Sequence, residues 1–248
     1  MSENNDFHEV AVRNLEALAK NPYPGRGLIV GLSNGGRYLV QVYWIMGRSE
    51  NSRNRVFVVE GGSLRTALAD DSKTADRSLI IYRAMAERSG LFVVSNGDQT
   101  DDVIAGDVGG MFFEQSLRNR VNEPDAPNFT PRITAIFSTR SVDPVAEILI
   151  LKRSQIGNGC DRFLYRYDDL RPGVGYCVTT YSGDGNPLPS FCGEPYLLPT
   201  RGSIDEVAKM MWNSLNEENR VSLAVKFIKA PDGESSEIRV INKYQAVA

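Results

Sequence analysis

Short turn signals between apolar, β-type runs are the feature that most restricts the fold of this chain. The strand-like runs "GLIVGL" and "RYLVQVYWIM" flank "SNGG", and "SLIIYRAMAE" and "LFVVSN" flank "RSG". Two later pairs enclose "RSVDP" and "APDGES" in the same way. Such short turns join antiparallel neighbours, because parallel strands need a much longer crossover connection. The sequence therefore predicts largely antiparallel sheets and disfavours a Rossmann domain, which requires β-α-β alternation.

Three helical segments separate the groups of strands. "DFHEVAVRNLEALAKN" has apolar residues at helical spacing behind Asp6, a candidate N-cap, and "SIDEVAKMMWNSL" begins with a capping box formed by Ser203 and Glu206. A third helix is predicted from Asp101 to Leu117. We predict an α+β protein in which two antiparallel sheets, with helices packed outside them, form a single domain over residues 1–248.

Composition indicates an ordinary globular protein. Hydrophobic residues make up 42% of the chain, and the formal net charge is −3, which gives no global attraction for nucleic acid or for an anionic membrane. The N-terminal "MSENNDFHEV" lacks a signal-peptide core, and no stretch approaches the about 18 apolar residues of a membrane span. We expect a cytoplasmic protein with no nucleic-acid partner and no membrane partner, and homo-oligomerisation stays open.

Histidine and cysteine usage restricts the chemistry. His8 is the only histidine, and the three cysteines, Cys160, Cys177 and Cys192, contain no C-x-x-C pair. A Ser–His–Asp triad and a histidine-rich zinc site are therefore disfavoured. We expect a site that contains no metal.

Two strand ends carry polar clusters. "MGRSENSRNR" places Arg48, Arg53 and Arg55 close together, and the segment is either a solvated basic loop or a phosphate-binding segment. "SNGDQTD" follows another strand. Thr100 or Asp101 would cap the next helix, which explains one or two of its polar residues, and the others suit the rim of a ligand site.

Two further segments are candidates for the same site. "NFTPRI" opens a strand with Arg132, and Glu123 and Asp125 lie upstream as acid or base candidates if they are buried. The Gly/Pro-rich loop 182–195 has turn residues but no P-loop spacing. Its polar residues fit turn stabilisation and a ligand site equally well.

Several of these motifs resemble those of one family. "GRGLIVGLSNGGRYLVQVYWIMGRSENSRNRV" resembles the N-terminal strands of archaeal-type IMP cyclohydrolases, in which a Gly-Arg strand precedes an S-R-S-x-x-N-R segment. "VVSNGDQTD" and "TPRI" follow in the order of that family's S-N-G-x-x-T-D and T-P-R-I motifs, and "IIY" lies where the family has a tyrosine. The resemblance extends from about Gly25 to Ile136.

The resemblance implies a fold and a reaction. The fold would be Ntn-hydrolase-like, a four-layer αββα sandwich of two antiparallel sheets between helices. The reaction would close 5-formamidoimidazole-4-carboxamide ribonucleotide to inosine monophosphate with loss of water, the last step of purine biosynthesis. The substrate would be a small purine nucleotide, and no metal or other cofactor is implied.

The resemblance also implies site residues. Arg48, Asn54 and Arg55 match the arginine segment, Asn96, Gly97, Thr100 and Asp101 match the S-N-G motif, and Arg53 joins them as a predicted substrate-binding residue. Tyr82 and either Glu123 or Asp125 would transfer protons. Arg132 and Asn96 would orient the carboxamide or stabilise oxyanion charge.

The chain also departs from the family pattern. It has an N-terminal helical extension, residues 1–24, and a longer C-terminal half that includes the loop 182–195. One rival hypothesis is a non-catalytic purine-nucleotide-binding protein of the same fold. A second is an amide hydrolase with Cys177 or Cys192 as its nucleophile.

Overall fold

The computed structural model describes residues 6–73, 79–140 and 144–245. The helices in these ranges are α1 (Asp6–Lys20), α2 (Glu50–Arg53), α3 (Gln99–Val108), α4 (Phe113–Ser116) and α5 (Ile204–Ser214). The strands are β1 (Gly27–Leu32), β2 (Tyr38–Met46), β3 (Val56–Glu60), β4 (Ser63–Ala67), β5 (Arg83–Arg88), β6 (Leu91–Ser95), β7 (Arg132–Ser138), β8 (Val145–Arg153), β9 (Cys160–Tyr167), β10 (Val174–Thr179), β11 (Tyr196–Pro199), β12 (Arg220–Lys229) and β13 (Ser236–Asn242).

The strands form two sheets. One has six strands in the order β11-β10-β1-β2-β12-β13, and the other has seven in the order β3-β4-β5-β6-β7-β8-β9. Every pairing between these strands is antiparallel, which confirms the prediction from the turn signals. All four predicted strand pairs are present, although residues 141–143 of the "RSVDP" turn lie outside the described ranges.

The two sheets face each other across the main hydrophobic core. Leu28 and Tyr43 of the six-stranded sheet share this core with Phe92 and Phe137 of the seven-stranded sheet. Burying a large apolar side chain contributes about 1.5–3 kcal/mol, so this layer holds the sheets together.

Helices cover the outer faces. Leu18 of α1 and Met211 of α5 pack with Trp44 on the outer face of the six-stranded sheet. Val103 of α3 and Phe113 of α4 belong to the cluster on the seven-stranded sheet. The layers are therefore helix, sheet, sheet and helix, which confirms the predicted four-layer sandwich. Within the described part of the chain, no helix is long and apolar enough to cross a membrane.

Some predicted elements were wrong or missing. The single helix from Asp101 to Leu117 is two helices, α3 and α4, because Gly109 and Gly110 form a turn between them. The short strands β4 and β11 were missed, and β4 buries only Leu64 and Thr66. The capping box of α5 is confirmed, since the Ser203 hydroxyl accepts from the backbone N–H of Glu206. The predicted Asp6 cap concerns a side chain outside the described ones.

Candidate active site

A cleft of about 490 Å³ opens where β1 begins and β2 ends. One part of its wall comes from residues 23–26 and from the arginine segment, 46–55. The rest comes from residues 79–80, from the loop before β7 at 123–130, from Tyr181, and from Leu188 in the Gly/Pro-rich loop. The volume lies within the roughly 300–1,000 Å³ of small-molecule sites. Four of the predicted site residues line it, namely Arg48, Arg55, Glu123 and Asp125.

A buried ion pair forms one wall of the cleft. Arg26 donates to both carboxylate oxygens of Glu123, at 2.9 and 2.7 Å, and to the backbone oxygen of Asn96 at 2.9 Å. Arg26 is 9% exposed and Glu123 is 3% exposed. Burial alone would lower the pKa of Arg26, but Glu123 opposes this and the pKa lies well above its ordinary value. Arg26 is therefore a fixed cation, and these contacts use three of its five N–H donors.

Gly25 explains how Arg26 reaches this position. Gly25 has a φ of +72°, and a Cβ there would lie 2.3 Å from the Thr180 hydroxyl oxygen and 2.5 Å from the Tyr181 ring. The backbone N–H of Arg26 donates to the same Thr180 oxygen at 3.1 Å. Only glycine allows this close approach, which anchors the start of β1 against the end of β10.

Two tyrosines lie behind the ion pair. The hydroxyl oxygens of Tyr43 and Tyr82 are 2.7 Å apart, and both side chains are buried. Burial, and then the neighbouring Tyr82, raise the pKa of Tyr43 well above its ordinary value. Both tyrosines interact electrostatically with Arg26. Tyr82, a predicted proton-transfer residue, does not line the cleft and instead supports the wall that carries Arg26.

The second carboxylate of the cleft belongs to a hydrogen-bonded chain. Asp125 accepts from the backbone N–H of Thr130 at 2.7 Å and also contacts the Thr130 hydroxyl. The Thr130 and Tyr181 hydroxyl oxygens are 2.5 Å apart. Burial raises the pKa of Tyr181 to about 12, against the opposing effects of Arg26 and Thr130. Thr130 therefore connects the Asp125 carboxylate with the Tyr181 hydroxyl through hydrogen bonds along the cleft.

Arg55 brings a second positive charge to the cleft. It is 6% exposed, and its side chain donates to two backbone oxygens, from Nε to that of Ser52 at 2.9 Å and from Nη2 to that of Met46 at 3.4 Å. The Tyr23 hydroxyl also donates to the Met46 oxygen, at 3.5 Å. No carboxylate among the described residues lies within ion-pair distance of Arg55. A buried guanidinium without an acid partner favours an anionic ligand.

Arg48 lies beside Arg55 but has an acidic partner. Its guanidinium forms an ion pair with Asp184 of the Gly/Pro-rich loop and donates to the backbone oxygen of Gly185 at 3.1 Å. It also lies 4.9 Å from the centre of the Tyr23 ring. Burial raises the pKa of Tyr23, and Arg55, Arg26 and Arg48 oppose this rise, so three cations act on one hydroxyl.

A compact turn fixes the spacing of the arginines. Ser49 caps α2, accepting from the Ser52 backbone N–H at 3.2 Å, and the Ser52 hydroxyl donates back to the Ser49 backbone oxygen at 2.9 Å. Gly47 makes this turn fit, because a Cβ there would lie 2.6 Å from the carbonyl carbon of Ser52. In this turn, Arg48, Arg53 and Arg55 contact different parts of the protein.

Two predicted residues of the arginine segment do not line the cleft. Arg53 donates to the Gly47 backbone oxygen at 2.9 Å and to the Asn219 side chain at 3.2 Å, and it pairs with Glu218. Asn54 donates to the Asp70 backbone oxygen at 2.8 Å and accepts from the Asp70 backbone N–H at 2.7 Å. The structure gives both a bracing role instead of the predicted substrate contact.

The S-N-G segment also lies outside the cleft lining. Asn96 is fully buried, with its side chain accepting from the Ile133 N–H and the Gln99 amide and donating to the Pro131 oxygen, all at 2.9 Å. The Thr100 hydroxyl lies 2.6 Å from that of Ser95. Asn96 nevertheless shapes the site, because its backbone oxygen holds Arg26.

The remaining predicted residues of this region form a charged network behind the cleft. Arg132 donates to Asp98 at 2.9 Å and to the Gln99 side chain at 2.7 Å. Asp101 pairs with Arg83 at the surface. Gly97 lies against Arg132, since a Cβ at Gly97 would be 2.7 Å from its guanidinium.

The predicted cap of this helix was wrong. Asp98 occupies the N-cap position of α3 and its side chain makes no capping hydrogen bond. Asp98 instead pairs with Arg120 and Arg132. Burial opposes ionisation of Asp98, but these arginines prevail and lower its pKa.

The cysteines contribute no nucleophile to the cleft. Cys177 is fully buried in β10, and burial raises its pKa to about 12, so it is a neutral thiol near pH 7. Cys192 is exposed and does not line the cleft. Among the described residues, no group of three or more His, Cys, Asp or Glu side chains is arranged to hold a metal ion.

Sequence reasoning did not select three residues that line the cleft, namely Tyr23, Arg26 and Tyr181. Arg26 precedes an almost fully buried strand and is flanked by Gly25 and Gly27. A charged residue in such an apolar context is a usable signal, because burial requires a partner. Tyr23 and Tyr181 carry no comparable signal, since aromatic residues are common in cores.

One comparison with known proteins identifies the family. A family model described as IMP cyclohydrolase-like protein matches residues 23–234, a range that contains every residue lining the cleft. A search of curated proteins gives no significant match. The chain belongs to the IMP cyclohydrolase-like protein family.

Proposed function

We propose that this protein is an IMP cyclohydrolase. It would close 5-formamidoimidazole-4-carboxamide ribonucleotide to inosine monophosphate. The carboxamide nitrogen attacks the formyl carbon and a new C–N bond forms. The formyl oxygen leaves as water with one proton from the carboxamide nitrogen and one from the formamide nitrogen, and a C=N double bond to the formamide nitrogen replaces the broken C–O bond. No redox step occurs, and no cofactor is required by this balance.

One observation carries the proposal beyond family membership. The cleft holds Arg55, a buried cation without an acid partner among the described residues, together with the buried Arg26–Glu123 pair. The first suits a phosphate group, and the second offers hydrogen-bond donors and a carboxylate to a neutral reacting centre. The formamido ribonucleotide has a phosphate group for Arg55 and neutral amide and formyl groups for the Arg26–Glu123 pair.

The cleft residues take distinct roles in this proposal. Arg55 binds the 5′-phosphate, and the two N–H donors of Arg26 not used by Glu123 or Asn96 stabilise charge on the formyl oxygen. Glu123 or Asp125 accepts the carboxamide proton, since both carboxylates line the cleft. Tyr82 is a positioning residue for Arg26.

The carboxamide is a poor nucleophile, so much of the rate enhancement would come from holding it against the formyl carbon. Both groups are substituents of one ring, so the closure is already intramolecular, and the enzyme's part would be to hold them in the rotation that allows ring closure. A rigid wall formed by a two-point ion pair and by buried tyrosines fits this requirement.

The test is direct turnover. Purified protein is incubated with the formamido ribonucleotide, and formation of inosine monophosphate is followed by absorbance. Arg55→Ala should raise KM by about 10- to 150-fold, which corresponds to about 1.5–3 kcal/mol for a charge-assisted contact. Arg53→Ala is the matched control, because Arg53 belongs to the same segment but lies outside the cleft lining.

Two outcomes would contradict the proposal. Binding of inosine monophosphate without any turnover would make the protein a non-catalytic nucleotide-binding protein. Equal changes in KM for the Arg55 and Arg53 variants would remove the phosphate role from Arg55.

A further inference from the structure

We propose that Asp184 competes with the ligand for Arg48: it holds Arg48 in the free protein, and the phosphate group of the ligand displaces it on binding. The proposal rests on the proposed function for the location of the ligand. It goes further by assigning a role to the Gly/Pro-rich loop 182–195.

The contacts of Arg48 define the free state. Its Nη1 contacts the Asp184 carboxylate and the Gly185 backbone oxygen, the latter at 3.1 Å, and its guanidinium lies over the Tyr23 ring. The same Asp184 oxygen accepts the Gly185 backbone N–H at 2.9 Å. Asp184 therefore occupies on Arg48 the place that an anionic ligand would take.

Solvent exposure makes this ion pair replaceable. The side chains of Arg48 and Asp184 are 39% and 47% exposed, respectively. Exposed pairs of this kind are weak. In contrast, Arg26 and Glu123 form a buried two-point pair that a ligand would not break without a large cost.

The neighbouring Arg55 shows what Arg48 would be without its acid partner. Arg55 has no acid partner among the described residues, so it attracts any anion. Arg48 adds its charge only after Asp184 leaves. A phosphate group carries a charge of about −1.5 to −2 near pH 7 and offers three acceptor oxygens, so it competes with a single carboxylate. A neutral nucleoside has nothing to exchange for Asp184.

The loop keeps its place when Asp184 moves. The backbone N–H of Leu188 donates to the Asn128 side chain at 3.0 Å, and Leu188 is buried against the cleft. Ser182 is tied separately to Pro189 by a backbone hydrogen bond of 2.9 Å. Exchange at Arg48 therefore requires movement around Asp184 and Gly185 and leaves the cleft wall in place.

The test measures binding by titration calorimetry with the full chain, using inorganic phosphate, inosine monophosphate and inosine. Asp184→Asn keeps the acceptor for the Gly185 N–H but removes the charge. It should lower Kd for phosphate and for inosine monophosphate about two- to five-fold and leave Kd for inosine unchanged. Asp184→Glu, which keeps the charge, should stay close to the wild type.

A double-mutant cycle shows whether Asp184 affects phosphate binding by competing for Arg48 or by changing the conformation of the loop. In an Arg48→Ala background, Asp184→Asn should have no effect on phosphate binding, because no cation remains to be released. A higher or unchanged Kd for phosphate in Asp184→Asn, or the same change in both backgrounds, would overturn the proposal.

Binding and turnover fail independently. If the expected phosphate results appear but no inosine monophosphate is formed from the formamido ribonucleotide, the proposed reaction is wrong and the role of Asp184 stands. If turnover occurs but the Asp184 variants bind phosphate as the wild type does, the role of Asp184 is wrong.

Discussion

Replacing Arg26 by methionine separates the stabilising role of the buried ion pair from its chemical role. Methionine keeps much of the side-chain length but removes the charge and all the donors. Glu123, which is 3% exposed, then loses its two-point partner. Removing one member of a buried pair costs about 3–5 kcal/mol, because the other charge is left buried. For a protein of this length that corresponds to a fall in Tm of about 6–20 °C.

The double variant Arg26→Met/Glu123→Leu gives the decisive comparison. Replacing both members of a buried pair by apolar side chains is often neutral or stabilising, because the desolvation penalty disappears with both charges. We expect the double variant to recover most of the stability lost by Arg26→Met. It should recover none of the turnover, since the donors and the carboxylate are both gone.

Urea unfolding at equilibrium measures the stability of the wild type, Arg26→Met, Glu123→Leu and the double variant, and absorbance of inosine monophosphate measures turnover. If Arg26→Met keeps both wild-type stability and wild-type turnover, the ion pair has neither role. If the double variant is as unstable as the sum of the two single variants, Arg26 and Glu123 are not energetically coupled.

Four further outcomes are expected. Asn96→Ala should cost about 1–3 kcal/mol of stability, because buried partners of its side chain lose their hydrogen bonds. Asp101→Ala should cost less than about 1 kcal/mol, because its ion pair with Arg83 is exposed. Equal losses of stability for the two variants in urea unfolding would contradict this. Burial raises the pKa of Tyr181 to about 12, so its stabilisation is present below pH 10 and is lost as the pH rises toward 12, and Tyr181→Phe should lose stability less steeply there. Burial lowers the pKa of Lys226, so just below about pH 10.4 the unfolded chain binds more protons than the folded protein does. The wild type should therefore gain stability relative to Lys226→Met as the pH rises toward that value. Parallel pH profiles of stability for the two proteins would refute this. Turnover should survive EDTA, and its loss followed by rescue with zinc or magnesium would end the metal-free hypothesis.

Local patterns were sufficient to predict most of the fold. The turns at "SNGG" and "RSG" are too short to join parallel strands, so the strands on either side of each turn must pair antiparallel. The observed registers follow from these turns. Adjacent residues of β2, such as Tyr43 and Trp44, bury on opposite faces of the sheet, which is why the strand is apolar almost throughout. The failures came where local signals are weak, as in β4, where cross-strand pairing and not composition makes the strand.

The predicted site residues divide between the lining of the cleft and the protein around it, and their roles stay predictions. Asn96 and Arg132 belong to motifs that match the family, and their side chains are used within the protein. A match to a family motif therefore does not indicate whether the side chain contacts a ligand or another part of the protein. Asn96 affects the cleft through its backbone oxygen, which any residue could supply in principle, while its side chain holds that backbone in place.

The three arginines of one short segment show why sequence cannot assign such roles. Arg48 meets Asp184, which is 136 residues away in the chain, and Arg53 meets Glu218, which is 165 residues away. Arg55 meets no carboxylate in the described part of the chain. Nothing within "GRSENSRNR" distinguishes these environments, because each is decided by a distant residue that the fold brings near. The charge available to a ligand is the charge left after these pairings. Under the proposals above, Arg55 would attract an anion directly and Arg48 would do so after an exchange, whereas Arg53 pairs with Glu218.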